Sequence, residues 1–235
     1  MTQFTASAAA QPKFGGPFWE RLWRLSGVNF VALFLVAAFV HGPQPQIGAP
    51  ADALTAFYTG DRIRILVATV ISGVNILNLM WFAAALRSAL ADAGRDGWGA
   101  AVTTAAALYG GLTLLLLTVV AALAYGIAGA GDLGVTSGLN AFAWTLAVVM
   151  SFPQAMLVMA GAFGLWRAKL ISNGLFTLGV AAVVLSLLGG TTWMSAGPWA
   201  ADGVYSRFLA PAVGLVWILV VSGVLVRTSP ARTAW

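Results

Sequence analysis

Six long apolar stretches, separated by short polar joints, occupy most of the 235-residue chain. Charged residues make up only 8% of it, against 60% hydrophobic, where a soluble domain carries about a quarter charged. A water-facing surface needs those charges, and a surface facing hydrocarbon excludes them and has its backbone polar groups satisfied internally. The chain therefore reads as all-α: a polytopic membrane protein built as a six-transmembrane-helix bundle.

A crossing of about 30 Å of hydrocarbon takes about 20 apolar residues. That requirement places spans at residues 25–40, 65–86, 101–127, 139–165, 170–188 and 208–226. The first is short, and the third is long enough to tilt. Residues 1–16 read as a polar tail, and residues 17–24 (PFWERLWR) as an amphipathic interfacial segment. The first span reads as an uncleaved helix, because its apolar stretch is long for a signal peptide and the nearest small-residue cleavage pattern, residues 51–53, lies far downstream.

Basic residues set the orientation. Lys13, Arg21, Arg24, Arg87, Arg95, Arg167, Lys169, Arg227 and Arg232 fall on one side, and Arg62, Arg64 and Arg207 on the other. Nine against three puts residues 1–24 and 227–235 in the cytoplasm of a cell (plasma) membrane protein. Tryptophans follow the same frame, with Trp19, Trp23, Trp81, Trp98 and Trp166 near the inner interface and Trp193 and Trp199 near the outer one. The basic residues mark helix ends and do not cluster into a nucleic-acid-binding face. The two longer outer joints, residues 41–64 and 189–207, are rich in Gly and Pro and read as a small cap.

Much chemistry is excluded. The chain has no cysteine, one histidine and one glutamate, so thiolate metal sites and a His-Glu metalloprotease pair are ruled out. His41 reads as an interfacial side chain. All seven acids (Glu20, Asp52, Asp61, Asp92, Asp96, Asp132 and Asp202) map to joints or termini, which argues against proton coupling through a membrane carboxylate. No catalytic residue, metal or cofactor is expected.

The polar groups inside the spans are the ligand or packing candidates. Asn75 and Asn78 lie three apart on the second span, where amides usually bond between helices. Pro153-Gln154 sits near the centre of the fourth span. Proline leaves the Val149 carbonyl without its helical donor, so the helix should kink there. Trp217 lies in the middle of the sixth span and is expected to pack in the core, with its indole N–H seeking an internal partner. Tyr58, Asp61, Arg62 and Arg64 form the densest outer polar cluster, in which Arg62 is expected to pair with Asp61 while Arg64 snorkels toward headgroups.

Phe57-Tyr58, Asp61-Arg62, Trp81-Phe82 and Leu86-Arg87 recur at the spacing of a known family, as do Phe152-Pro153, Ala155, Leu165, Arg167 and Trp217-Ile218. Over roughly residues 51–227 the chain resembles a family of bacterial six-span integral membrane proteins classed as a domain of unknown function. Gly60-Asp61 stands where that family usually has a histidine before the first Arg. The resemblance implies a six-helix fold and no activity. The leading expectation from sequence is a non-enzymatic accessory or packing partner for another membrane protein, for lipid or for a second copy of itself. The alternative is a small carrier for an apolar or neutral solute, and a membrane-embedded enzyme comes a distant third.

Overall fold

The computed structural model describes residues 23–227. The N-terminal tail, most of the 17–24 segment, Lys13, Trp19, Glu20, Arg21 and Arg232 lie outside the described residues. Within them the helices are α1 (Ser26–His41), the short α2 (Ala51–Thr55), α3 (Arg62–Asp92), α4 (Asp96–Ala122), α5 (Leu133–Val149), α6 (Ser151–Arg167), α7 (Asn173–Gly189) and α8 (Ala210–Arg227). The described residues contain no strand; one isolated bridge joins Met194 to Ala200.

Local chemistry sets the helix ends. The Asp132 carboxylate caps α5 by accepting from Val135 N–H at 3.0 Å, and the Ser172 hydroxyl caps α7 by accepting from Leu175 N–H at 3.4 Å. α1 ends at Gly42, whose φ of 71° is open to glycine and lays its backbone against the Arg64 guanidinium. The expected fourth span is two helices, interrupted at Met150. The break falls one residue past Val149, the carbonyl that Pro153 leaves without a donor. Three π-helical turns, Ala56–Gly60, Leu123–Ile127 and Tyr205–Leu209, and a 3-10 turn, Ala128–Ala130, complete the described fold.

The rods run antiparallel. Trp23 donates to the Trp81 carbonyl, Arg24 to Leu225 O and Arg95 to Arg167 O, while Phe163 meets Trp98 and Phe176. These pairs join the starts of α1, α4 and α7 to the ends of α3, α6 and α8 at what is called here the Trp166 end. At the opposite, His41 end, Arg62 lies over the Tyr125 ring, Arg64 against Gly42, and the Tyr205 hydroxyl donates to Leu185 O. The two loops expected to form a cap meet there, Ile47 N–H donating to Asp202 Oδ2 at 2.8 Å.

Among the described residues, four helices are long and apolar enough to cross a membrane: Arg62–Asp92, Asp96–Ala130, Leu133–Arg167 and Tyr205–Arg227. Of the six spans expected from sequence, these four have the length for a full crossing. α1 and α7 are equally apolar but have 16 and 17 residues, a rise of about 24–26 Å. The other helices overrun their expected bounds, because the periodic pattern continues past the last apolar residue into polar ones that still accept helical geometry.

α5–α6 is the central rod: 67% of its apolar window is buried, against 28, 22 and 39% in the other three long helices. Small residues Ala155, Ala160, Gly161, Ala162 and Gly164 cover its buried face and let neighbours approach closely. The largest side chain packed there is Trp217, 2% exposed, edge-on to Phe82 at 6.3 Å. With Leu86, Leu90 and Leu165 it makes a solid core in the half of the molecule nearer the Trp166 end.

Candidate functional site

Beneath the two loops of the His41 end lies a hydrogen-bonded cap. Tyr58, on the first π turn, is fully buried and donates to Asn140 Oδ1 at 2.8 Å. Gln44 donates to the Tyr58 oxygen at 3.3 Å and to the same Asn140 oxygen at 3.1 Å. Asn140 returns its amide hydrogens to the Pro45 and Gln46 carbonyls, and Trp144 Nε1 also donates to Pro45 O at 2.9 Å. Burial pushes the Tyr58 phenol well above its ordinary pKa, with the Gln44 bond acting weakly the other way. The phenol thus stays a donor, and α5 holds the loop after α1 in one position.

A cavity of about 260 Å³ opens beside this cap and runs into the bundle between α1, α4, α5, α6 and the start of α8. It lies near the lower limit of about 300 Å³ for ligand pockets. His41, Gln44 and Arg207 stand at its mouth, and Tyr109 and Gln154 lie deepest. Tyr109 and Leu116 both line it from α4, seven residues or about 10 Å of helix apart. Below Gln154 the space narrows to about 10 Å³ among Phe30, Leu79, Leu157 and Ile218. Beyond that lies the Trp217 core, so the cavity is open at one end and closed at the other.

The wall is apolar at Phe34, Leu116, Ala143, Trp144, Ala147, Met150 and Pro211, with polar groups set into it. Gln154 Nε2 donates to Ala210 O at 2.7 Å and Ser186 Oγ at 3.1 Å, which fixes its side chain across the start of α8. Gln154 Oε1, Ser151 Oγ and the Tyr109 hydroxyl have no hydrogen-bond partner among the described residues. None of the three atoms is sealed in; among the described residues, the fully buried unpartnered side-chain atoms are Asn75 Oδ1 and Ser222 Oγ. Three residues that each carry an unmet hydrogen-bonding group therefore line one space. Ser151 and Gln154 are 6 and 8% exposed.

His41 Nδ1 lies 3.1 Å from the Gly42 carbonyl. A carbonyl only accepts, so Nδ1 carries the hydrogen and Nε2 remains an acceptor. Burial lowers the His41 pKa; the Gly42 bond opposes this, and the nearby Arg64 and Arg207 charges reinforce it. The imidazole is neutral at pH 7.

The sequence candidates scatter. Gln154 lines the cavity, and Pro153 breaks the helix beside it. Trp217 is core, with no hydrogen bond from its indole among the described residues. Tyr58 turns inward to the cap, away from Asp61, Arg62 and Arg64. Asp61 pairs with Arg64 at 2.7 Å, not with the expected Arg62, because residues three apart share a helix face and adjacent ones diverge. Arg62 instead stands over the Tyr125 ring at 5.0 Å.

Asn75 and Asn78 are not in the cavity. Asn78 Nδ2 donates weakly to Val74 O on its own helix at 3.4 Å, and Asn75 is buried with Oδ1 unpartnered. Neither amide bonds to another helix among the described residues. Asn75→Leu should therefore be neutral or stabilising by up to about 1 kcal/mol, since it removes an unmet buried acceptor. Melting in detergent checks this: a loss of about 1–2 kcal/mol would mean that Asn75 joins helices after all.

Asn140, Gln44, Tyr109, Ser151 and Arg207 were missed. Asn140 alone gave a usable signal, as an amide inside the expected fourth span. Comparison with known protein families, with curated proteins and with solved structures finds no match to this chain.

Proposed function

We propose that the chain is a non-enzymatic, six-span carrier for a small solute, embedded in a cell membrane with both termini cytoplasmic. The observation that carries this reading is the cavity: open at one end, closed at the other, and ending at three unmet polar groups beside two helix irregularities. Secondary carriers bind near mid-membrane, where interrupted helices free polar groups, and rock between two half-open states. The break at Met150 and the π turn before α8 frame Gln154 in that way. An accessory role calls for no such cavity.

The count of six spans is supported by the antiparallel order of the rods. α1 and α7 fall a few Å short of the hydrocarbon thickness, a gap that local thinning accommodates. Orientation is supported by charge: the Trp166 end carries Arg24, Arg87, Arg95, Arg167, Lys169 and Arg227, and the His41 end Arg62, Arg64 and Arg207. The cavity then opens outward.

Single cysteines test both claims, since the chain has none of its own. In intact cells, cysteine at Ala49, Ala196 or Ser151 should react with an impermeant thiol reagent, and cysteine at Ala93 should not. Reaction at Ala93 with protection at Ala49 and Ala196 would reverse the orientation. Ser151→Cys unreactive from either side of a proteoliposome would mean a dry, sealed cavity and end the carrier reading.

A further inference from the structure

The cavity carries a fixed charge at its mouth. Arg207 stands 5.5 Å from the centres of both the Trp144 and Phe208 rings, and its guanidinium makes no ion pair or hydrogen bond among the described residues. Aromatic faces hold the flat of a guanidinium and leave the N–H edge free, the geometry that takes a carboxylate two hydrogen bonds at a time. Among the described residues, no carboxylate lines the cavity. Asp61 is bound to Arg64. Asp202 shares a shallow outer depression with Arg207, but accepts from Ile47 N–H and forms no ion pair with it. His41 is neutral and offers an acceptor. Apolar walls lower the local dielectric and strengthen whatever charge pairing the mouth makes.

We propose that the solute is a small organic monoanion, its carboxylate on Arg207 and its apolar body along Phe34, Leu116, Trp144 and Met150. A polar far end would meet Tyr109, Ser151 and Gln154. One guanidinium neutralises one negative charge, so a dianion would enter with one charge uncompensated. A neutral solute would leave Arg207 unpaired, and a cation would be repelled. This assignment rests on the reading that the cavity holds a solute, and it replaces the apolar or neutral solute expected from sequence.

Benzoate, benzamide and benzylamine differ in charge at nearly constant shape, and they serve as probes of the full-length protein in detergent, with Trp fluorescence and calorimetry as readouts. Benzoate should bind saturably and at least tenfold more tightly than benzamide, with benzylamine silent. Arg207→Gln should weaken benzoate at least tenfold while leaving benzamide unchanged, Arg207→Lys should recover part of the loss, and Arg227→Gln, at the far end, should have no effect. Should Arg207→Gln fold poorly, protection provides a second reading: benzoate, and not benzamide, should slow thiol labelling of Ser151→Cys. Equal binding of benzoate and benzamide, no binding of any probe, or indifference to Arg207→Gln would each overturn the anion assignment. The carrier reading would still stand or fall on Ser151→Cys labelling without any probe, so the two failures are distinguishable.

Discussion

Trp217→Ala is expected to cost about 3–5 kcal/mol, the range for emptying a large aromatic site in a packed interior. The indole is 2% exposed and lies where α8 crosses α6 and α7. Its six-membered ring rests on Gly161: a Cβ at that position would sit 2.8 Å from Cζ2 and closer still to Cη2. Gly161→Val should therefore also destabilise, by about 1–3 kcal/mol through overpacking. Both residues share one space, so the double variant Gly161→Val/Trp217→Phe should cost clearly less than Gly161→Val and Trp217→Phe summed. Melting of the four proteins in one detergent measures this, and strict additivity would mean that the ring does not rest on that glycine. The same core closes the cavity toward the Trp166 end. Under the carrier reading, a weakened core should also raise solute leak through proteoliposomes.

The helices were legible because hydrocarbon imposes one rule over long stretches, and the break in the fourth span because proline removes a particular hydrogen bond. The span count was harder. α1 and α7 are as apolar as their neighbours; α1 already reads as 16 residues in the sequence, but only the ends of α7 in the structure cut its span to 17. The site was mostly illegible, for a geometric reason. Position along the chain tells which residues are near the membrane surface, but not which way a side chain turns. Arg207 reads as one more joint charge, and only the π turn that carries it aims it between Trp144 and Phe208 at the cavity mouth. Tyr58, Asp61, Arg62 and Arg64 read as one cluster, yet the Tyr58 hydroxyl points to α5 while Arg62 and Arg64 take different partners. Gln44 and Asn140 are 96 residues apart, and no local pattern links them.

Asn140→Leu should destabilise by about 1–3 kcal/mol, and the penalty should come mainly through Tyr58. Gln44 and the Pro45 and Gln46 carbonyls are near enough to the surface to turn to water when the amide is lost. The Tyr58 hydroxyl, at 0% exposure, has no such recourse and would be left as an unmet buried donor. Tyr58→Phe removes the donor itself and leaves Asn140 Oδ1 still served by Gln44, so it should cost less, about 1 kcal/mol. With the donor already gone, Asn140→Leu should then add little, and the double variant should fall short of the sum by about 1 kcal/mol or more. A pH series adds an independent check. Burial raises the Tyr58 pKa in the folded protein above the ordinary value near 10, so above that pH the unfolded chain loses a proton that the folded one keeps. Stability from this group is complete below about pH 10 and declines as the pH climbs toward the folded value. Melting from pH 8 to 11.5 should show wild type losing stability faster than Tyr58→Phe above pH 10. Parallel curves would mean that the Tyr58 hydroxyl reaches water and that the cap is looser than its hydrogen bonds indicate.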